Sequence, residues 1–124
     1  MNYLVVFLGA GIGGALRHAV NMLAPRLLGT GLPYATMFVN LAGSLAMGLI
    51  AGWFAFRGEA PQSARLFLTI GILGGFTTFS AFSLDFATLV ERGEIANAAI
   101  YGGVSVAGAI LALFAGLWIA RTAF

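Results

Sequence analysis

Four long apolar windows constrain the fold of this chain more than any other feature of its sequence. They run over about 3–24, 34–56, 64–90 and 95–120. A helix needs about 20 mostly apolar residues to cross the hydrocarbon core of a bilayer, and each window is long enough. The segments between the windows, 25–33, 57–63 and 91–94, are short. We therefore predict an all-α membrane protein in which four transmembrane helices form one domain over residues 1–124.

Composition supports a membrane protein and argues against several classes of function. Charged residues make up 8% of the chain, whereas a soluble domain carries about 25%. The chain has no cysteine and one histidine, which makes a thiolate or transition-metal site improbable. It offers no Ser/His/Asp or Cys/His set, no paired carboxylates and no phosphate-binding glycine loop. We therefore predict that the protein is not an enzyme.

The third window contains a stretch that works against a continuous helix. It runs from Gly71 to Ser83 and reads GILGGFTTFSAFS. Its glycines are weak helix formers, and its hydroxyls compete for backbone hydrogen bonds. In hydrocarbon, a broken backbone is tolerated only where it is buried in protein or lines a polar cavity. We therefore expect a third helix broken mid-membrane, with exposed carbonyls able to bind a cation, and hydroxyls and aromatic edges able to receive an anion.

Small residues recur every four positions in two of the windows. They are Gly9 and Gly13 in the first window, and Ser44, Gly48 and Gly52 in the second. This spacing lets helix backbones approach closely in a membrane. We read both stripes as helix-packing surfaces.

Three polar residues stand out inside the apolar windows. Asn40 fits an interhelical hydrogen bond and a pore-lining role about equally well, and Thr36, one turn earlier on the same face, slightly favours a polar track. Arg17 is costly at its depth unless it is paired or reaches the interface, so we favour a structural role for it. Asp85 lies about two turns from the end of its helix, and we expect it to pair with Arg17 rather than to carry protons.

Tyr101 and Ser105 lie one above the other on one face of the fourth window. At its depth, Tyr101 is expected to be an aromatic belt residue at the membrane interface. The hydroxyl of Ser105 is expected to bond to the carbonyl four residues earlier.

The arginines give the chain almost no preferred orientation in a membrane. The side that holds both termini and the opposite side carry nearly equal numbers: Arg57, Arg65 and Arg121 against Arg26, Arg92 and, at its edge, Arg17. The positive-inside rule requires an asymmetry between the two sides. A chain this balanced can insert both ways, and two copies can then pair antiparallel about an axis in the membrane plane.

The sequence resembles the CrcB/Fluc family of fluoride channels along its whole length. GGFTTFSAFS, from Gly74 to Ser83, looks like the third-span signature of that family. Its first-span motif resembles GGALR at 13–17, and its second-span motif resembles TMFVNLAG at 36–43. Tyr101 and Ser105 match its polar positions in the fourth span. The resemblance implies an antiparallel, dual-topology homodimer with two pores in a bacterial inner membrane. It also implies export of fluoride down its electrochemical gradient.

The resemblance further implies roles for individual residues in the pore. Asn40 would hydrogen-bond fluoride through its amide, and the ring edges of Phe79 and Phe82 would face the ion. A polar track beside the rings would be formed by Thr78, Ser80, Tyr101 and Ser105. Two departures from the family pattern suggest a shorter track: Ala35 stands where the family usually has glycine, and Ala109 where some members have a second serine.

The same resemblance implies a structural sodium ion at the centre of the dimer. The backbone carbonyls of Gly74 and Thr77 from both chains would hold it. Arg17 would be a structural residue or would lie at the pore mouth.

Two other functions are compatible with a chain of four spans. Small multidrug-resistance transporters also have four spans and dual topology, but they rely on an acid in the first span, and residues 3–24 contain no Asp or Glu. A subunit that only assembles with others would explain the glycine stripes. It would not explain the clustered hydroxyls, Asn40 and the phenylalanines.

Overall fold

A computed structural model describes residues 2–57 and 61–123, and the loop expected at 57–63 therefore lies partly outside the described residues. The regular structure in these ranges is entirely helical: α1 (Asn2–Leu28), α2 (Tyr34–Arg57), α3 (Gln62–Leu66), a π-helical segment (Phe67–Leu73), α4 (Gly74–Phe76), α5 (Phe79–Glu91) and α6 (Ile95–Ala123). The pieces from α3 to α5 make up one third span, Gln62–Glu91. Within the described ranges, four helices are long and apolar enough to cross a membrane, so the prediction of an all-α protein with four spans is confirmed.

The first span is longer than the sequence suggested, because Pro25 does not end it. α1 continues through Pro25 to Leu28. A proline lacks the N–H that bonds to the preceding turn, but its carbonyl can still accept from the following turn. The amide of Gly29 donates to the Pro25 carbonyl at 3.1 Å. Gly29 then takes a φ of +83°, a left-handed conformation that commonly ends a helix.

The first span packs against the first half of the third span at close range. A Cβ added at Gly9 would lie 2.8 Å from the Cα of Gly71, and one added at Gly13 would collide with the carbonyl of Ile72. No side chain larger than hydrogen fits at either position. The packing role predicted for these two glycines is therefore confirmed.

The second span packs along the fourth in the same way. Three pairs of residues touch along the two helices: Leu41 with Gly108, Gly48 with Leu113, and Gly52 with Ala120. The partners advance in the same order along both helices, so α2 and α6 run parallel. The packing role predicted for Gly48 and Gly52 is confirmed, whereas Ser44 lies in the wall of a cavity.

The backbone of the third span departs from α-helical geometry in two places. Phe67–Leu73 is wound as a π-helix, which the sequence did not indicate. After α4, Thr77 and Thr78 are extended, with φ and ψ of −86° and 159°, and −154° and 124°. The helix resumes at Phe79, where the Thr78 hydroxyl caps it by accepting the Ala81 N–H at 3.1 Å. The glycine- and hydroxyl-rich stretch thus holds a two-residue interruption within a span that bends only slightly overall.

Candidate functional site

A cavity of about 280 Å³ lies beside the interruption in the third span. Its wall is drawn from three spans: Asn40 and Ser44 from α2, Thr77, Thr78, Phe79 and Phe82 from the third span, and Ser105, Val106, Ala109 and Ile110 from α6. Among the described residues, the lining contains amide, hydroxyl, aromatic and aliphatic groups but no charged side chain. The fold therefore brings five of the predicted pore residues to one place, although they are far apart in the sequence.

Asn40 on the second span hydrogen-bonds to the interrupted backbone of the third span. Its Nδ2 donates to the Thr78 carbonyl at 3.0 Å, and its Oδ1 accepts the Thr78 N–H at 2.9 Å. One side chain thereby satisfies both backbone groups of an extended residue that has left the helix ladder. An asparagine amide carries two hydrogens, so one N–H is still available to the cavity. The hydrogen bond predicted between spans is confirmed. Asn40 also lines the cavity, and its role in a pore stays a prediction.

Aromatic rings form a continuous row beside the cavity. The centroids of Phe79 and Phe82 are 5.6 Å apart, and those of Phe82 and Tyr101 are 5.2 Å apart. The row passes from the outside to the inside of the chain, because Phe79 is 76% exposed and Tyr101 is fully buried. The prediction that Tyr101 belongs to the interfacial belt is therefore wrong, since a belt residue faces the membrane surface.

Asp85 is bonded to hydroxyl groups and not to an arginine. Its Oδ2 accepts from Thr36 Oγ1 at 2.8 Å and from the Tyr101 hydroxyl at 3.2 Å. Arg17 instead donates through Nε to the Gly75 carbonyl at 3.2 Å, next to the interruption. The predicted Arg17–Asp85 pair is wrong, although both side chains line a second cavity of about 340 Å³. Arg17 thus links the first span to the third through a backbone contact.

The hydroxyl of Ser105 is buried without a partner among the described residues. Five other hydroxyls bond to the carbonyl four residues earlier: those of Thr69, Thr77, Ser83, Thr88 and Thr122. Ser105 was expected to do the same, but no described residue is a hydrogen-bond partner of its Oγ, and the residue is only 3% exposed. A buried polar group left unsatisfied costs about 1–3 kcal/mol. A ligand in the adjoining cavity would supply the missing partner.

The interruption also diverts the usual helical donors of two backbone carbonyls. The Thr78 amide bonds to Asn40 rather than to the Gly74 carbonyl, and the Ala81 amide bonds to the Thr78 hydroxyl rather than to the Thr77 carbonyl. Each carbonyl thereby loses the amide that would be its partner in a continuous α-helix. These are the two carbonyls that the resemblance assigns to sodium. Backbone carbonyl oxygens are suitable ligands for a hard cation, and the described residues hold no cluster of His, Cys, Asp or Glu that could bind a metal.

Two predicted track residues lie outside the cavity wall. The Ser80 hydroxyl is 3.3 Å from that of Thr78, on an exposed part of the third span. Tyr101 lies behind the ring of Phe82. One residue of the wall, Ser44, was read only as a packing residue. Its position one turn after Asn40 on the same helical face was the signal that could have identified it.

Comparison with known proteins shows the family of this chain. Residues 4–117 match the sequence profile described as CrcB-like protein, Camphor Resistance (CrcB). The chain belongs to the CrcB family. It is 58% identical over 121 residues to a protein of Nitrobacter hamburgensis named fluoride-specific ion channel FluC 2, with 98% of each chain covered.

Other relatives carry the same kind of name. A protein of Rhodopseudomonas palustris named fluoride-specific ion channel FluC is 60% identical over 121 residues, which cover 98% of each chain. A FluC protein of a Methylobacterium species is 62% identical over 110 residues, which cover 89% of this chain and 88% of the relative. The resemblance of the sequence to the CrcB/Fluc family is therefore confirmed.

Proposed function

We propose that this protein is a fluoride channel, not an enzyme, and that it lowers cytoplasmic fluoride by letting the anion leave down its electrochemical gradient. The observation that carries the proposal is the cavity beside the third-span interruption. A free N–H of Asn40 and the unpartnered hydroxyl of Ser105 adjoin it. The names of the relatives support the same conclusion.

The chemistry of this cavity suits a small and strongly hydrated anion. Such an ion enters a pore only if the wall replaces its water with hydrogen-bond donors. A fixed positive charge in the wall would hold the ion too tightly, whereas conduction requires that it also leave. The cavity wall has amide and hydroxyl donors, and the ring edges of Phe79 and Phe82 are weakly positive. No charged residue lines it.

The functional unit in this proposal is an antiparallel homodimer with two pores in a bacterial inner membrane. The nearly equal division of arginines between the two sides favours insertion in both orientations. Phe79 is 76% exposed at the edge of the cavity, so a second copy would close the side that one chain leaves open. Thr77 and Thr78 lie midway along the 30-residue third span, and in this proposal they would lie near the bilayer midplane.

A structural sodium ion at the dimer axis completes the proposal. The carbonyls of Gly74 and Thr77, together with the same two carbonyls of the second copy, would hold it. When bound, the ion would supply a positive charge that ties the interrupted backbones together. The fit rests on the two carbonyls whose usual helical donors, the amides of Thr78 and Ala81, bond to other groups.

Purified protein in liposomes provides the test of the proposed function. Vesicles loaded with fluoride are diluted into fluoride-free buffer, and efflux is followed with a fluoride electrode, with and without a proton uncoupler. A channel releases fluoride at the same fast rate in both conditions. Efflux that requires a proton gradient would point to an antiporter, and no efflux from folded dimers would leave a subunit that only assembles with others.

A further inference from the structure

Ser44 places a second free hydroxyl in the wall of the cavity. The residue lines the cavity together with Ser105, and its Oγ makes no hydrogen bond within the described part of the chain. Serine and threonine in a helix often bond to the carbonyl four residues earlier, as Ser83 and Thr122 do here. Ser44 and Ser105 both depart from this pattern, and both lie in the same cavity wall.

The position of Ser44 along the cavity follows from contacts on either side of it. Leu41 touches Gly108, and Gly48 touches the backbone of Leu113. Ser44 lies between Leu41 and Gly48 on α2, and Ala109 lies between their two partners on α6. Because the two helices are parallel, Ser44 and Ala109 are at about the same level of the cavity.

The donors of the cavity are therefore arranged on two levels. Asn40 and Ser105 define the first level, and Ser44 lies one helical turn, about 5–6 Å, beyond Asn40. At this second level, the wall contributed by α6 is apolar, with Ala109 and Ile110.

The side chain of Thr77, which also lines the cavity, lies against Gly43 next to Ser44, but its hydroxyl already donates to the Leu73 carbonyl at 2.9 Å. The hydroxyl of Ser44 is therefore the donor that an anion could use at this level.

We propose that Ser44 is a further fluoride-coordinating residue, whose hydroxyl binds the anion at the level where α6 presents only apolar side chains. The inference rests on the proposed fluoride channel and extends its polar track to the second span. A hydroxyl that has no partner among the described residues can turn toward an anion without breaking a bond to any of them. The glycines that continue the stripe pack against α6, so Ser44 is the member of the stripe that faces the path.

Ser44→Ala tests the proposal, because it removes the hydroxyl and leaves a small residue on the packing stripe. The initial rate of fluoride efflux from liposomes is expected to fall about tenfold or more, the size of effect expected when an ion loses one hydrogen bond. Ala109→Ser added to this variant returns a hydroxyl at the same level and is expected to restore most of the rate. A residue that only packs helices would not be rescued in this way.

Thr122→Val is the matched control, since it removes a hydroxyl that is exposed and already bonded to backbone carbonyls. It is expected to conduct like the unaltered protein. If Ser44→Ala does not elute as a dimer, Ser44→Cys, which keeps the size and weakens the donor, is measured with the same expectations.

The outcomes separate this inference from the function on which it rests. If the unaltered protein releases no fluoride, the proposed function itself fails. If the unaltered protein conducts and Ser44→Ala conducts at the same rate, Ser44 does not coordinate the ion. A lowered rate that Ala109→Ser leaves unchanged would also overturn the inference.

Discussion

At the scale of single residues, Asn40 combines a structural hydrogen bond with a position in the cavity wall. It binds both backbone groups of Thr78 and leaves one N–H for the cavity. The polar side chain that maintains the interruption is thus also positioned to bind an anion. Loss of its donors would therefore affect the shape of the cavity and its chemistry together.

Asn40→Asp is expected to reduce fluoride efflux to the background of empty liposomes. The carboxylate has no N–H for the Thr78 carbonyl or for the ion, and its charge repels an anion. The measurement is fluoride efflux from liposomes that contain the purified variant. Asn97→Asp is the control, because Asn97 bonds to Glu94 outside the cavity, and it should conduct normally. Normal efflux through Asn40→Asp would remove Asn40 from the path.

Phe79→Ile and Phe82→Ile are each expected to lower fluoride efflux while the dimer remains assembled. Isoleucine fills similar space but lacks the positive ring edge that an anion can approach. Phe86→Ile is the matched control, since its ring lies 6.4 Å from that of Phe82 but does not line the cavity. Efflux rates are compared after size-exclusion chromatography confirms assembly. If both pore variants conduct like the control, the aromatic edges play no part.

At the scale of helices, the first and third spans depend on contact between backbones. Gly13→Ala is expected to destabilise the protein by about 1–3 kcal/mol, because the new methyl group collides with the Ile72 carbonyl. Gly14→Ala is the natural control, since a Cβ at Gly14 meets nothing within 4 Å. Thermal unfolding in detergent should show a lower midpoint for Gly13→Ala alone. Equal midpoints for the two variants would contradict this packing.

Hydropathy was sufficient to locate all four spans, because a bilayer sets a minimum length of apolar helix. Thr77 and Thr78, the two extended residues, lie within the stretch that the sequence marked as poor in helix formers. A third helix broken mid-membrane stays a prediction. The partners of the polar groups could not be predicted in the same way. Asn40 reaches Thr78 across 38 positions of sequence, and no local pattern encodes that distance.

The sequence-based predictions that proved wrong, for Tyr101 and for the Arg17–Asp85 pair, have a common physical origin. In a chain that is apolar on every face, hydropathy does not distinguish a side chain facing lipid from one facing the bundle. Tyr101 was therefore placed at the membrane interface, although it is fully buried. Arg17 and Asp85 were paired by their charges, but the fold offers Asp85 two hydroxyls and offers Arg17 a carbonyl.

At the scale of the whole molecule, the balanced arginines predict two populations of opposite orientation. The chain has no cysteine, so Ala123→Cys introduces a single thiol at the end of α6. A membrane-impermeant thiol reagent applied to intact spheroplasts should label about half of the protein, because half of the chains place this end outside. Complete labelling after lysis is the control. Labelling of all or none of the protein in intact spheroplasts would contradict dual topology.

The most direct test of the fluoride path is a single cysteine inside the cavity. Val106 lines the cavity without providing a hydrogen bond, so Val106→Cys should still conduct. Val104, two residues earlier on α6, does not line it and provides the matched variant Val104→Cys. Fluoride efflux from liposomes is measured in chloride-free buffer before and after addition of silver ions, which bind thiolates. We predict that silver stops efflux through Val106→Cys and leaves Val104→Cys unchanged. Equal efflux through both variants in the presence of silver would contradict a fluoride path through this cavity.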